Sequence, residues 1–274
     1  MKNAMYLALV GIILISCNKD DDDGPNSSSN SNIHTEFRAF ENIFNGNGIG
    51  AAVNLRDDVI LLFNQNGDQY AWFEDNEIKA VYELNANESA FRTSALVSVG
   101  AAGLTSETRL VIVDTAGENF TFADFNANNV SGSWNETDLF SWTSESNAIA
   151  EWGDGNFALE GLSALWNLSD PGDTCMDATR EIDIINMVDG DGDTMQPFST
   201  DGNFFSNGPF PTDLFTAQNN CGGEDGAMPF ERIGAVCSYI KADMIKDIIF
   251  SSDGKQFTFY TVSEGEFSEI FDLY

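Results

Sequence analysis

The sequence has very little of the chemistry on which many enzymes and most nucleic-acid-binding proteins depend. His34 is the only histidine, and 12 Lys and Arg stand against 44 Asp and Glu, for a net charge of −32. Because His34 precedes the region expected to fold, Ser–His and Cys–His nucleophile pairs and a His-based zinc site are excluded there. The shortage of bases argues against nucleic acid and anionic headgroups as electrostatic partners, since phosphate contacts need Lys and Arg.

Long helix-forming stretches rich in Ala, Glu, Lys and Leu are also absent. Phe and Gly are common instead, at 22 and 24 residues. This composition predicts short strands joined by turns. The 274 residues, 42% of them apolar, suffice for one large domain or two small ones after removal of a leader. The acidic surface is compatible with solubility and with capture of divalent cations.

The N-terminal apolar run, Ala4 to Ile15, is shorter than the roughly 20 residues that span a bilayer and is typical of a signal peptide. It ends in Leu14-Ile15-Ser16-Cys17, which resembles the lipobox of bacterial lipoproteins. That resemblance implies cleavage before Cys17, lipidation of its thiol and a lasting membrane anchor. The next segment, Asn18-Lys19-Asp20-Asp21-Asp22-Asp23-Gly24, resembles the export signal of surface-displayed lipoproteins in Gram-negative bacteria. It implies a lipid-anchored protein on the outer membrane, facing outward.

These features divide the chain into a signal peptide (1–16), a lipidated cysteine with a flexible acidic and Ser/Asn-rich linker (17–35) and one domain (36–274). Two alternatives remain open. The alternative to a lipoprotein leader is an ordinary cleaved signal peptide followed by a chance cysteine. The alternative to an export signal is that the acidic tail is only a flexible tether.

A repeated unit organises the domain. Ile49-Gly50-Ala51-Ala52 recurs as Val99-Gly100-Ala101-Ala102, and further copies begin at Ile233 and, in degenerate form, near Leu162. Each copy continues with an apolar run, a Gly turn and an aromatic strand. Apolar runs without alternation suit a sheet that is covered on both faces, and small residues in the first strand suit a crowded axis.

The unit resembles the hemopexin repeat, with Ala51-Ala52, Leu62-Phe63, Gly67 and Tyr70-Ala71-Trp72 carrying the likeness over roughly residues 45–274. The resemblance implies an all-β, four-bladed β-propeller with repeats that start near 49, 99, 162 and 233. The chain departs from that family in its long insertions and in lacking a clear disulfide between the first and last copies. The alternative is another β-sandwich or barrel built from repeated hairpins.

The segment Asp189-Gly190-Asp191-Gly192-Asp193 is the best metal candidate. Alternate carboxylates on a Gly-rich turn can converge on calcium, which predicts Asp189, Asp191 and Asp193 as ligands. Thr194 and Thr200 stand where an EF-hand needs Gly and Glu, so the segment is not an EF-hand. The alternative is an ordinary solvated turn.

With Cys17 lipidated, Cys175, Cys221 and Cys237 remain, an odd number for an oxidising location. Cys237 lies in the first strand of its repeat, where small buried residues belong. We therefore expect a disulfide between Cys175 and Cys221 and a buried free thiol at Cys237, although three cysteines allow three single pairings.

Two segments interrupt the repeat, and long connections in a compact domain are often functional. Residues 131–160 contain Trp134, Trp142 and Trp152, whose flat rings are candidates for ligand binding. Residues 195–230 contain several prolines and Cys221. The alternative is that the tryptophans pack these connections onto the domain.

Together these features predict a surface lipoprotein that acts as a binding or scaffolding module for an outer-membrane protein partner or an extracellular ligand, and not as an enzyme. A glycan-binding accessory protein is the alternative, motivated by the tryptophans. A hydrolase with paired carboxylates is less favoured, because spacing in sequence does not give spacing in space.

Overall fold

The chain is a four-bladed β-propeller, as the repeat predicted. The computed structural model describes residues 35–56, 58–86, 89–91, 96–126, 130, 139–143, 146–155, 159–170, 179–200, 209–212, 228–241 and 244–274. In these ranges the structure is almost entirely antiparallel β-sheet, in four sheets whose strand order follows the chain. The predicted signal peptide, Cys17 and the linker as far as His34 lie outside the described residues, whereas Thr35, the last residue of the predicted linker, begins a 3₁₀ helix.

Each blade is a meander of four strands. Blade 1 consists of β1 (Ile49–Arg56), β2 (Val59–Asn64), β3 (Gln69–Glu74) and β4 (Glu77–Glu83). Blade 2 consists of β5 (Ala101–Ser106), β6 (Arg109–Val113), β7 (Asn119–Phe125) and β8 (Phe140–Trp142), with β9 (Asn147–Ala148) also on β7. Blade 3 consists of β10 (Ala164–Asp170), β11 (Thr179–Val188), β12 (Thr194–Ser199) and β13 (Phe210–Pro211). Blade 4 consists of β14 (Ile233–Lys241), β15 (Met244–Ser251), β16 (Gln256–Thr261) and β17 (Glu266–Phe267), with β18 (Phe271–Asp272) also on β16.

Within the described ranges, short 3₁₀ helices span Thr35–Phe40 before blade 1 and Ile149–Gly155 after β9. In the described part of the chain, no helix is long and apolar enough to cross a bilayer.

The first strands of the blades, β1, β5, β10 and β14, line the axis and contact one another around it. The predicted starts near 49 and 233 are confirmed, and those near 99 and 162 fall two residues before β5 and β10. Small side chains allow this close approach. At Gly103 of β5, for example, a Cβ atom would lie 2.8 Å from Ile185 Cδ1 of blade 3.

Apolar side chains on both faces of the second strands fill the seams between blades. Leu61 packs in the seam between blades 1 and 2, whereas its neighbour Leu62 packs in the seam between blades 4 and 1. Because successive side chains of a strand point to opposite faces, an uninterrupted apolar run can serve two seams at once. The other two seams are filled in the same way.

The seam between blades 4 and 1 contains an aromatic wedge, which we define as Phe37, Phe40 and Phe44. All three are buried; Phe37 and Phe40 belong to the N-terminal 3₁₀ helix, and Phe44 follows it. Phe40 lies 4.8 Å from Phe73 of blade 1 and 5.9 Å from Phe257 of blade 4, measured between ring centroids. The wedge thus joins the first and last blades by apolar packing.

The centre of the propeller is closed. Asn167 of β10 pairs its side chain with the backbone of Leu104 in β5: Nδ2 donates to the Leu104 carbonyl at 2.8 Å, and Oδ1 accepts from the Leu104 amide at 3.1 Å. The remaining axial void is about 10 Å³, close to the minimum for one water molecule. The axis is therefore a packed core and not an open channel.

Candidate functional site

Four equivalent turns lie on one face of the propeller, which we call the turn face. They connect the second and third strands of the blades and span 64–69, 114–119, 189–194 and 251–256. In each turn, the amide of a Gly with positive φ donates to the carbonyl three residues earlier, at 2.8–3.0 Å; these glycines are Gly67, Gly117, Gly192 and Gly254. The repeat correctly predicted a Gly turn at this point of every blade.

A short polar side chain caps each turn from its first position. Asn64, Asp114 and Asp189 each accept, through Oδ1, the amides four and five residues later. In blade 4 the Ser251 hydroxyl accepts the Gln256 amide at 3.1 Å. Asn, Asp and Ser are the residues whose side chains reach nearby backbone amides in this way.

Asp189 is therefore the cap of its turn. Its Oδ1 accepts the amides of Gly192, Asp193 and Thr194 at 2.9, 3.1 and 3.2 Å, and Asp193 Oδ1 accepts the Thr194 hydroxyl at 3.0 Å. Among the described residues, no three His, Cys, Asp or Glu side chains form a group that could hold a metal. The position of Asp189 is explained by the turn, and calcium binding by Asp189, Asp191 and Asp193 stays a prediction.

An axial depression opens at the centre of the turn face, and we call it the axial cup. All four blades contribute to its wall. It has a volume of about 230 Å³ and is lined by Gly50, Gln65, Gly100, Thr115, Ala116, Leu162, Ser163, Gly190, Ile233, Gly234 and Ser252. The wall is polar but carries neither a charged side chain nor an aromatic ring among these described residues.

Hydrogen bonds across the seams hold the cup in shape. Gln65 Nε2 donates to the Ser252 carbonyl at 3.3 Å, which links blades 1 and 4. Ser163 Oγ donates to the Ile233 carbonyl at 3.1 Å, which links blades 3 and 4. Sequence reasoning missed the cup, although the small residues that form its floor were recognised in the repeat.

Acidic residues are close in sequence to the lining of the cup. We define the acid rim as the seven acids within two residues of a lining position: Asp114, Glu118, Glu160, Asp189, Asp191, Glu231 and Asp253. Arg232 is the one base within that distance. For Asp253, burial raises the pKa, but hydrogen bonds from the Ser251 hydroxyl and the Lys255 amide, together with the Lys255 ammonium, lower it below its ordinary value. Asp253 is therefore ionised at neutral pH.

The two predicted ligand-binding tryptophans that the structure describes lie against the protein. Trp152 is 5% exposed and packs on Phe120, with 5.0 Å between ring centroids. Trp142 is half-buried, its ring centroid lies 5.2 Å from that of Phe91, and its indole N–H donates to the Ala90 carbonyl at 3.1 Å. Trp134 lies outside the described residues. Packing accounts for both described rings, and ligand binding by any of the three stays a prediction.

Cys237 lies in β14, is 2% exposed and is a free thiol, as expected. Burial, and then the nearby Asp247 carboxylate, raise the pKa of this thiol well above its ordinary value. A thiol that stays protonated is a poor nucleophile, so Cys237 is a structural residue. Cys175 and Cys221 lie outside the described residues, and their predicted disulfide stays a prediction.

No family model and no curated protein sequence matches this chain. Solved structures similar to it include hydrazine synthase from Kuenenia stuttgartiensis, at 10% identity over 82% of this chain and 49% of that one, with a TM-score of 0.30. They also include a nidogen/laminin complex, at 12% identity over 82% and 80% of the two chains, with a TM-score of 0.39. A third is Hsv2 from Kluyveromyces lactis, at 11% identity over 83% and 64%, with a TM-score of 0.32. The chain spans about half the length of the hydrazine synthase chain that it matches. None of these similarities assigns a function.

Proposed function

We propose that this chain is a lipid-anchored binding module at the bacterial cell surface, which holds its turn face and axial cup away from the membrane. The lipobox at Cys17 and the acidic tail behind it support the anchor and its surface display. The path of residues 35–48 supports the orientation, and it is the observation that carries the proposal.

This path begins near the face opposite the turns. Glu36 forms an ion pair with Lys246, the third residue of β15, close to the β14–β15 connection. Lys246 also lies over the Phe259 ring, 4.7 Å from its centroid. Strand β15 runs from that connection to Ser251, which is on the turn face. The N-terminal end of the described chain is therefore attached at the opposite face.

The path ends on the turn face. The Asn42 amide donates to the Leu273 carbonyl at 2.8 Å, and the Leu273 amide donates to the Lys255 carbonyl at 2.9 Å. A Cβ atom at Gly48 would lie 2.5 Å from the Asp253 carbonyl oxygen, so the chain runs against the blade 4 turn just before β1. A tether that precedes Thr35 thus joins the propeller at the face opposite the axial cup.

A binding role follows from how the blades use their side chains. The apolar residues of the strands are buried in the seams between blades. The exposed turns and connections are therefore the surface that can bind a partner. The turn face has the cup and the acid rim, and in this proposal it is the face that points away from the membrane. A fixed, preformed surface of this kind binds without a large ordering cost.

Surface display is tested on intact cells. Added protease should digest the wild-type protein, and Cys17→Ser should release it from the membrane fraction. Replacing Asp20 to Asp23 by Ala should keep the lipid anchor but protect the protein from protease. Protection of the wild type would contradict surface display.

Orientation is tested with the purified lipoprotein in liposomes whose headgroups carry a quencher. A fluorophore is attached at Ser252→Cys on the turn face or at Glu264→Cys in the β16–β17 connection on the opposite face; both positions are exposed. The wild type, labelled identically, corrects for native cysteines. Stronger quenching at position 264 than at position 252 supports the proposal, and equal or reversed quenching contradicts it.

A further inference from the structure

We propose that two copies of this chain pair edge to edge through β4, the outermost strand of blade 1. The pairing is antiparallel and symmetric about Val81, so that the first blades of the two copies form one continuous sheet. The inference goes beyond the proposed function, because it concerns the side of the propeller and not the turn face. It rests on the length of β4, the exposure of Val81 and the order of charges along the strand.

Blade 1 differs from the other blades at its outer edge. β4 has seven residues, whereas the outer strands of the other blades, β8, β9, β13, β17 and β18, have at most three in the described part of the chain. Short outer strands are one way in which proteins avoid edge-to-edge association, since a long edge offers a row of backbone groups for pairing. Among the described sheets, only that of blade 1 lacks this protection.

The outer side of β4 presents backbone groups to a further strand. The Leu84 amide donates to the Asp68 carbonyl at 2.7 Å, toward β3. Hydrogen bonding alternates along an antiparallel pair, so Val81 and Glu83 direct their backbone groups away from β3. β4 is the last strand of its sheet, and none of the described strands pairs with it on that side.

Val81 is the apolar centre of this edge. Its side chain is 44% exposed, and the exposed residues on either side of it in β4, Lys79 and Glu83, are charged. The register of β4 on β3 shifts at Lys79, so the stretch from Lys79 to Glu83 is the part available for pairing, and Val81 is its middle residue. In a pairing symmetric about Val81, the two valines lie opposite each other and remove apolar surface from water.

The charges of β4 suit a second copy of the same strand. In the register symmetric about Val81, Lys79 of each copy lies opposite Glu83 of the other, and opposite charges in opposed positions stabilise a strand pair. Lys79 contacts Glu77 at 3.2 Å and Glu83 accepts an N–H of Gln69 at 2.7 Å within one copy. Both contacts are exposed, so their exchange for contacts with the second copy costs little.

The same charges disfavour the neighbouring register. Symmetry about Ala80 would place Glu77 of each copy opposite Glu83 of the other, and directly opposed like charges destabilise a strand pair. It would also place Lys79 opposite the apolar Val81. The charge order therefore selects the register in which Val81 faces its own copy.

The pairing is expected to be weak. Stable interfaces bury about 1,200–2,000 Å² in total, and one short pair of strands buries less. Each copy also has a net charge of −32, so the experiments need about 0.15 M salt, where repulsion is screened beyond about 8 Å. A covalent trap suits such a pairing, because it accumulates a dimer that forms only part of the time.

Disulfide trapping of the purified lipoprotein in detergent tests the pairing. Val81→Cys places two thiols opposite each other, with Cα atoms about 5.5 Å apart, within the range of about 4.4–6.8 Å that a disulfide spans. Met244→Cys is the matched control, because Met244 is 43% exposed and Val81 is 44% exposed. Under mild oxidation we expect Val81→Cys to form the crosslinked dimer roughly 10-fold faster than Met244→Cys or more, since pairing raises the effective thiol concentration. The wild type corrects for native cysteines.

The register is tested with cysteines at the charged positions. Residue 83 of one copy is four residues, or roughly 13 Å, from residue 83 of the other in the proposed register. Glu83→Cys alone should therefore crosslink no faster than Met244→Cys. A variant that combines Lys79→Cys with Glu83→Cys should crosslink at a rate close to that of Val81→Cys, because each new thiol then faces one of the other copy.

Charge reversal tests whether the partner is a second copy in this register. In the Val81→Cys background, Lys79→Glu gives only acids at positions 79 and 83, and Glu83→Lys gives only lysines. Each change alone should slow crosslinking by roughly 5-fold, whereas a mixture of the two variants should restore it, because every opposed pair again has opposite charges. Retained melting temperatures would show that the variants fold.

Three results would overturn the proposal: equal crosslinking of Val81→Cys and Met244→Cys, crosslinking of Glu83→Cys as fast as that of Val81→Cys, or no recovery in the mixture of charge variants. These outcomes are separate from failure of the proposed surface role, because the trapping uses purified protein. A module that is displayed as proposed but whose β4 strands do not pair would refute this inference alone.

Discussion

The carbonyl of Gly254, in the last blade, accepts a hydrogen bond of 2.9 Å from the amide of Ile49, the first residue of the first blade. The same bond joins Gly67 to Val99 and Gly192 to Ile233, so three of the four turns hold the start of the next blade in this way. Closure of the ring is therefore the last instance of a contact that the repeat makes at successive blades. The aromatic wedge adds apolar packing to the same seam.

Gly254→Ala should destabilise the closed ring. Gly254 has a φ of 65°, and a Cβ atom would lie 2.3 Å from the Ile49 carbonyl oxygen. We expect a loss of about 2–4 kcal/mol in the free energy of unfolding, from backbone strain and the forced movement of the seam. Gly46→Ala is the control, since Gly46 has a φ of 88° but open space around it, and should cost only about 1 kcal/mol. The free energies of unfolding of both variants are measured in urea. Equal losses for Gly254→Ala and Gly46→Ala would show that the contact with Ile49 is unimportant.

Phe40→Ala should open the seam between blades 4 and 1. Phe40 is fully buried, and removing a buried Phe costs about 3–5 kcal/mol. Arg38→Ala, on the exposed side of the same 3₁₀ helix, should change stability by no more than about 0.5 kcal/mol. Calorimetric melting of the two variants compares the effects. Similar melting temperatures would mean that the wedge does not close the ring.

Stability should fall at alkaline pH, in part because of Tyr239. Burial and then the carboxylates of Glu36, Asp58 and Asp75 raise the pKa of Tyr239 above its ordinary value. A raised pKa in the folded state means that the folded protein holds the proton more tightly. The protonated Tyr239 therefore makes its full contribution to stability below about pH 10, which is the pKa of tyrosine in the unfolded chain. This contribution is lost as the pH rises toward the pKa of Tyr239 in the folded protein.

Tyr239→Phe should therefore make the alkaline decline shallower, although it also removes the 2.8 Å hydrogen bond from Tyr239 Oη to Asn76. The free energy of unfolding, measured from about pH 7 to pH 11, separates the two effects. Loss of the hydrogen bond lowers stability at all these pH values, whereas loss of the titration changes the slope above about pH 10. An unchanged slope would contradict the assignment.

The turn at Asp189 allows its structural role to be separated from calcium binding. Asp189→Ala should cost about 1–2 kcal/mol in the presence of a chelator, because three backbone amides lose their acceptor. Asp191→Ala, at an exposed position, should cost little in the chelator. Millimolar calcium should raise the melting temperature of the wild type through preferential binding to the folded state, and Asp191→Ala should abolish that rise. No rise in the wild type would contradict the calcium prediction.

Local pattern alone determined much of the fold. Small residues such as Ala51 and Ala52, the apolar run of β2 and the glycine at each turn predicted four similar sheets and the strands that line the axis. The buried free thiol of Cys237 followed from the same alignment. These features depend on side-chain period and turn geometry, which are written in neighbouring residues.

Only the tertiary structure decided how the ring closes and which residues surround its mouth. The bond from Ile49 to Gly254 and the ion pair from Glu36 to Lys246 join residues about 200 positions apart, and no local pattern encodes such a pairing. The sequence also did not show that Trp142 and Trp152 pack against the protein, because an aromatic ring in a long connection can be part of a core or of a binding site. The axial cup exists only where four blades meet, so its shape arises from the closed propeller and not from any one repeat.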